Sequence, residues 1–217
     1  MKINRRAKRT NPPVALRPEN RPDEHPDKRF RRTERALREA LLDMLHQERI
    51  TEITTTELCR RADVSRNTFY AHYTAVEHLY DDMENDFVRA LINAFEVTVP
   101  GPGCSREQAF AANVDMAAHF LDIVKENRRM AEALAQDQFV SPFYRKLYPL
   151  LREKIIPLSE AAGRQVPDGD PVLGPPYLYL FNGSRALIDR WIAHGMAEDT
   201  RLIAEYLVRL GMAALEA

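Results

Sequence analysis

The sequence has little to offer catalysis or covalent cross-linking. Cysteine is scarce: Cys59 and Cys104 are the only two among 217 residues, too few for a disulfide framework. Cys59 falls on the inner side of a helical pattern and Cys104 in a Gly-Pro loop, so two reduced thiols are expected. No apolar run approaches the roughly 20 residues that a membrane helix needs. Behind the basic N-terminal residues the stretch from Thr10 to Pro26 is polar and proline-rich. That argues against a signal peptide and for a cytoplasmic chain. Also missing are a Gly-rich phosphate loop, a nucleophile elbow, and any His or Cys pair spaced to hold a metal on one helix. His72 and His78 lie on different helical faces, while His119 and His194 stand alone in apolar helices. Carboxylates are abundant but scattered along what read as solvated faces. Neither an enzyme nor a bound cofactor or metal is expected. No alternating strand pattern and no internal repeat is present.

What is there is charge, and its placement matters. Residues 1 to 32 hold eleven Lys and Arg against four Asp and Glu, a surplus of seven. With a total of -1 the remainder carries 20 basic against 28 acidic residues, or -8. Positive charge is concentrated at one end, and the acidic remainder restrains non-specific attraction to nucleic acid. Residues 1–27 contain Pro12, Pro13, Pro18, Pro22 and Pro26 and a basic cluster of Lys2, Arg5, Arg6, Lys8 and Arg9. They read as a disordered, extended arm, either a solvated tail or a segment that follows DNA phosphates or enters a minor groove.

The rest reads as helices. From Arg31 to Gln47, Leu37, Leu41, Met44 and Leu45 recur at the helical period while Arg35, Arg38, Glu39 and Asp43 occupy the other face. The stretch from Ile53 to Tyr73, ITTTELCRRADVSRNTFYAHY, reads as two short helices around a tight turn. Thr54 or Thr55 can cap the first by accepting orphan N–H bonds, Asp63 tolerates a left-handed turn, and Ser65 can cap the second. The second helix then offers a guanidinium, an amide and a hydroxyl in its first turn, from Arg66, Asn67 and Thr68. Such groups read base edges or phosphates, while Phe69 and Tyr73 face a small core. A longer helix from Val76 to about Val97, roughly 33 Å at 1.5 Å per residue, could join a reading head to a separate body. Further helices follow, with start signals at Ser105, Asn127 and Ser141-Pro142 and a loop from Gly163 to Gly174. The last two run from Tyr177 to His194 and from Glu198 to Leu215.

From about Arg35 to Leu79 the chain resembles the N-terminal domain of the TetR family of transcriptional regulators. The family pattern I-T-x-x-x-L-A, A-G-V-S, T-[LF]-Y-x-[HY]-[FY] is carried by Ile53-Thr54, Leu58-Cys59, Ala62-Asp63-Val64-Ser65 and Thr68-Phe69-Tyr70-Ala71-His72-Tyr73. It departs at Asp63, which replaces the usual turn Gly, at Asn67, which replaces a common Gly, and at Val76, where a Lys is frequent. The resemblance implies an all-α protein. A disordered arm (1–27) would precede a three-helix, helix-turn-helix DNA-binding domain (28–75) and a larger helical regulatory and dimerisation domain (76–217). It implies a ligand-responsive repressor that binds a palindromic duplex as a homodimer. Arg66, Asn67 and Thr68 would contact bases or phosphates and Tyr70 and His72 phosphates; Thr54, Thr55 and Ser65 would reach phosphates as well as cap. Tyr177 to Ser184 through Trp191, with Phe181 and Gly183, resembles the subtype related to dihydroxyacetone-kinase activators. That leaves a transcriptional co-activator or adaptor working through protein contacts as the alternative. Aromatics cluster in the body, and a small-molecule effector pocket is expected from Met116, Phe120, Phe143, Tyr144, Tyr148, Tyr177 and Phe181.

Overall fold

A computed structural model of the chain describes residues 28–96, 104–135 and 175–216, with Lys146, Leu147, Pro149 and Glu153 between the last two segments. The arm, Phe143, Tyr144, Tyr148 and the Gly163–Gly174 loop lie outside the described residues. Every regular element among the described residues is helical, as the periodicity requires. In chain order these are α1 (Lys28–Leu45), a 3-10 turn (Ile50–Glu52), α2 (Thr55–Ala62), α3 (Arg66–His72) and α4 (Val76–Asn93). A second 3-10 turn (Ala94–Glu96) follows, then α5 (Arg106–Glu126), α6 (Arg128–Ala135), α7 (Pro175–Ala193) and α8 (Thr200–Glu216).

The N-terminal helices close on one small core. Leu37 and Leu41 of α1, Leu58 of α2 and Phe69 of α3 have no accessible surface, and each such side chain contributes about 1.5–3 kcal/mol through its removal from water. α1 begins at Lys28 rather than Arg31. Phe30, one residue ahead of the start that the sequence suggests, extends the apolar face of Leu37 and Leu41 and anchors the first turn by stacking on His72 of α3 at 3.8 Å. α4 is about 27 Å long at 1.5 Å per residue before it tightens into the 3-10 turn, and buries Val76, Leu79, Met83, Phe87, Val88 and Leu91.

The helix ends are closed by local chemistry. Ser105 Oγ accepts from Gln108 N, and the Gln108 side chain in turn accepts from Ser105 N, a reciprocal capping box. Asn127, expected to cap α6, instead turns its side chain back and donates to Ile123 O at 2.9 Å, closing α5. α7 ends in a left-handed pair, Gly195 and Met196, which returns N–H groups to Ile192 O and Trp191 O. The Trp191 indole spans the corner by donating to Glu198 O at 3.2 Å. Asp199 caps α8 by accepting from Arg201 N and Leu202 N.

In the larger part α5 lies along α8, α7 packs on α8 and α6, and α6 also reaches back to α1. The apolar core is continuous from Leu37 in α1 to Ala204 in α8.

Candidate nucleic-acid interface

Between α2 and α3 the chain must turn within three residues, and side-chain caps and backbone hydrogen bonds close the corner. Thr54 Oγ1 accepts from Glu57 N at 3.2 Å, so of the two threonines Thr54 is the cap. Asp63 adopts a left-handed conformation, φ 53° and ψ 44°, which an Asp enters more readily than most residues. Val64 N then donates to Cys59 O at 3.0 Å, so two orphan carbonyl groups of α2 are satisfied without glycine. Ser65 Oγ accepts from Thr68 N at 3.1 Å and meets Thr68 Oγ1 at 2.8 Å. Ser65 and Thr68 are thus partly engaged in holding the start of α3.

Phe69 faces inward and carries no exposed surface, which turns Arg66, Asn67 and Tyr70 to solvent. Tyr70 is 49% exposed, and the Arg66 guanidinium lies 6.0 Å from the centre of its ring. Arg66 and Tyr70 therefore present one combined edge, a cation beside an aromatic hydroxyl. Thr55 is half-buried. His72 is half-buried under Phe30 with Nδ1 enclosed, which leaves only the far edge of its ring for any outside contact. Buried beneath the pair of helices, the Cys59 thiol has its pKa pushed up by desolvation, which keeps it protonated and unreactive.

A chain of charges links the end of α3 to α4. Tyr73, the residue that ends α3, donates from its hydroxyl to Asp82 at 3.3 Å. Arg38 of α1 donates to the same Asp82 at 2.5 Å and to Asp86 at 2.6 Å. Burial opposes the Arg38 charge, but its hydrogen bond and attraction to Asp86 prevail and its pKa is raised. Burial also opposes the Asp86 charge, yet Arg38 and Arg89 hold its carboxyl below the usual range. Tyr73 is pushed up to about 12, by burial first and then by the neighbouring Glu34 carboxylate, so its hydroxyl keeps the proton it donates.

On the far side of α4 lies the single buried charged residue among those described, Glu84, at 1% exposure. Lys146 meets it at 2.7 Å and meets Asp81 at 3.1 Å. Sequence reading placed the carboxylates of this helix on solvated faces; Glu84 corrects that, because its partner lies 62 residues away. A further bridge runs from α6 to α1, where Arg129 donates to Glu39 at 2.6 Å and also pairs with Asp43.

Of the expected effector-pocket residues, Met116 and Phe120 are half-buried on α5 and Phe181 is buried on α7. Phe120 meets Phe95 edge to face at 5.9 Å. Tyr177 lies on α7, with only its backbone described.

No protein-family model matches the sequence, and no curated protein matches it either. Solved structures do match. A protein described as the dihydroxyacetone kinase operon activator DhaS aligns over 85% of this chain and 96% of its own, with 17% identity and a TM-score of 0.55. A TetR transcriptional regulator from Streptococcus agalactiae 2603V aligns over 85% and 96%, with 18% identity and a TM-score of 0.59. The fold is that of TetR-type transcriptional regulators. The fatty acid degradation regulator FadR from Bacillus halodurans shares the TetR-type fold over 87% of this chain and 97% of its own, with 10% identity and a TM-score of 0.59. By their descriptions all three are regulators or activators and none is an enzyme. Among the described residues no helix is long and apolar enough to cross a membrane.

Proposed function

We propose that the protein is a sequence-specific DNA-binding transcriptional regulator that works as a homodimer. Residues 28–75 form its reading head and residues 76–217 its regulatory and dimerising body. The observation that carries this reading is the outward face of α3. Its backbone is fixed by the Ser65 cap and by buried Phe69, and its exposed edge offers Arg66, Asn67 and Tyr70. A rigid helix with a guanidinium and an amide at its start suits the major groove, where Arg reads guanine and Asn reads adenine by paired hydrogen bonds. Thr54, Thr55, Ser65, Thr68 and His72 border that edge as phosphate contacts.

Dimerisation is supported by a second exposed face of opposite character. Tyr179 on α7 is 68% exposed, and Leu202, Tyr206 and Leu210 recur every fourth residue along α8, each about half exposed. An added Cβ at Gly183, four residues beyond Tyr179, would meet no atom within 4 Å. A glycine inside a helix costs about 1 kcal/mol relative to alanine, and a second copy laid across α7 at that position offsets the cost through close backbone approach. Two copies would then present two α3 helices to successive major grooves of a palindromic site, with half-site centres on the order of 34 Å or a multiple of a turn apart.

The protein acts as a repressor whose grip on DNA a small apolar effector relieves. The effector binds in the body near Met116, Phe120, Tyr177 and Phe181, together with Phe143, Tyr144 and Tyr148. α4 carries the signal, since Lys146 holds it on the body side while Arg38 and Tyr73 tie it to α1 and the end of α3. A coupling of about 1–3 kcal/mol is usual for such a relay.

The deciding experiment is recovery of genomic DNA fragments bound by the purified protein, followed by gel-shift titration of the recovered site. A salt-dependent shift with a palindromic consensus is expected. Failure to retain any fragment rejects the reading and favours an adaptor that acts through protein contacts.

A further inference from the structure

The first two turns of α1 carry an arrangement that the other described residues do not neutralise. Lys28, Arg31, Arg32 and Arg35 stand at i, i+3, i+4 and i+7, so they share one face of the helix, and all four are exposed. Several arginines elsewhere are held by carboxylates: Arg38 by Asp82 and Asp86, Arg129 by Glu39 and Asp43, Arg201 by Asp115. Among the described residues no carboxylate pairs with any of the four. Like charges three and four apart repel one another, and cations at a helix N-terminus also oppose the helix dipole. The first turn of α1 holds no acidic residue to relieve either effect.

The position of this stripe is fixed relative to the reading helix. Phe30 projects from the opposite side of the same turn and stacks on His72, the last residue of α3, at 3.8 Å with the ring planes 21° apart. A self-repelling basic face is thereby pinned on the flank of α1 turned away from His72, one helix diameter, ~10–12 Å, from the end of the helix that would occupy the major groove. The sequence ahead of it adds a basic cluster of Lys2, Arg5, Arg6, Lys8 and Arg9, separated from the stripe by a stretch that holds Glu19, Asp23, Glu24 and Asp27. A polyanion with regularly spaced charges lying along α1 would remove both penalties together.

We propose that the Lys28–Arg31–Arg32–Arg35 stripe is a second duplex-DNA surface, which takes backbone phosphates flanking the site that α3 reads. This rests on the DNA-binding reading above and adds a sequence-independent anchor to it. The stripe supplies affinity and its salt dependence, whereas Arg66 and Asn67 supply sequence choice.

The test uses the full chain with all four residues changed to Gln, a good helix former, and a second variant with Arg31→Lys, Arg32→Lys and Arg35→Lys. Affinity for a random-sequence duplex is titrated over a range of salt. The slope of log affinity against log salt should flatten by about 0.9 for each phosphate that is no longer neutralised, and affinity near physiological salt should fall on the order of tenfold or more. The Lys variant should keep the wild-type slope. The Gln variant should melt no lower than wild type, because repulsion has been removed, so weaker binding cannot be put down to unfolding. Wild-type binding with an unchanged slope in the Gln variant overturns the stripe alone. A wild-type protein that shifts no duplex overturns the regulator reading and the stripe together. Binding to phosphatidylserine vesicles that the Gln variant loses while its DNA slope stays unchanged assigns the stripe to a membrane surface instead.

Discussion

Two exposed surfaces on this chain invite opposite partners. α3 turns its one large apolar side chain, Phe69, inward and shows Arg66, Asn67 and Tyr70. α8 buries Ile203 and Ala204 and leaves Leu202, Tyr206 and Leu210 in the open. Charged and amide groups on α3 are stable in water and gain from a partner that replaces their hydrogen bonds one for one. The apolar stripe on α8 gains only by leaving water, and needs no more than a complementary shape. Under the proposed function the first surface selects and the second adheres. A dimer formed through α8 turns a weak, selective contact into a bivalent one.

The largest expected effect comes from spoiling the adhesive surface. Leu202→Glu with Leu210→Glu should yield monomers by sedimentation and lower affinity for a palindromic site on the order of 100-fold or more, because bivalency disappears. Both leucines are half exposed in the single chain, so its own melting temperature should barely move; a dimer that survives breaks the comparison. Next comes the link between the surfaces. Lys146→Met leaves Glu84 buried without its cation, and denaturant unfolding should report a loss of about 3 kcal/mol, the low end for a broken buried pair because Lys146 is itself partly exposed. An unchanged midpoint would mean that Glu84 finds other solvation.

Arg66→Ala sharpens the selective surface. Binding to the preferred site should weaken by about 1–3 kcal/mol, with relaxed choice at one base pair, and uniform weakening on all sequences would make Arg66 a phosphate contact. The smallest effect is acid-dependent. The folded-state pKa of Asp86 lies below its ordinary 3.8, so its stabilisation is full above that value and fades as pH falls through the folded pKa. The melting-temperature gap between wild type and Asp86→Asn should therefore be constant at neutral pH and close only below about pH 4. A gap that closes near pH 6 would assign it to another group.

Much of the candidate interface was legible in the sequence because its codes are local. Thr54 and Ser65 cap by accepting from backbone N–H groups three residues on, and Asp63 turns left-handed within its own residue. The helices of the body were legible for the same reason, through apolar positions repeating every third or fourth residue. What joins the parts was not. Arg38 and Asp82 are 44 residues apart and Lys146 and Glu84 are 62 apart, and no periodicity says which cation crosses to which acid. Phe30 escaped because it precedes Arg31, where the sequence suggests that the helix starts, and only the fold brings it against His72. Asn127 misled because a side-chain amide can serve the helix before it as well as the one after it.

α4 bears an acidic band, Asp81, Asp82, Glu84 and Asp86, whose members do not all point the same way. At 100° per residue the pair held by Lys146 faces roughly 150° away from the pair held by Arg38. A rod gripped on opposite flanks resists rolling about its own axis: any twist that slackens one grip strains the other. Movement along the axis, or a tilt that carries both cations with it, meets less resistance. The charge pattern thus acts mechanically, as a pair of bearings. On the proposed relay, α4 would swing with its rotational setting fixed.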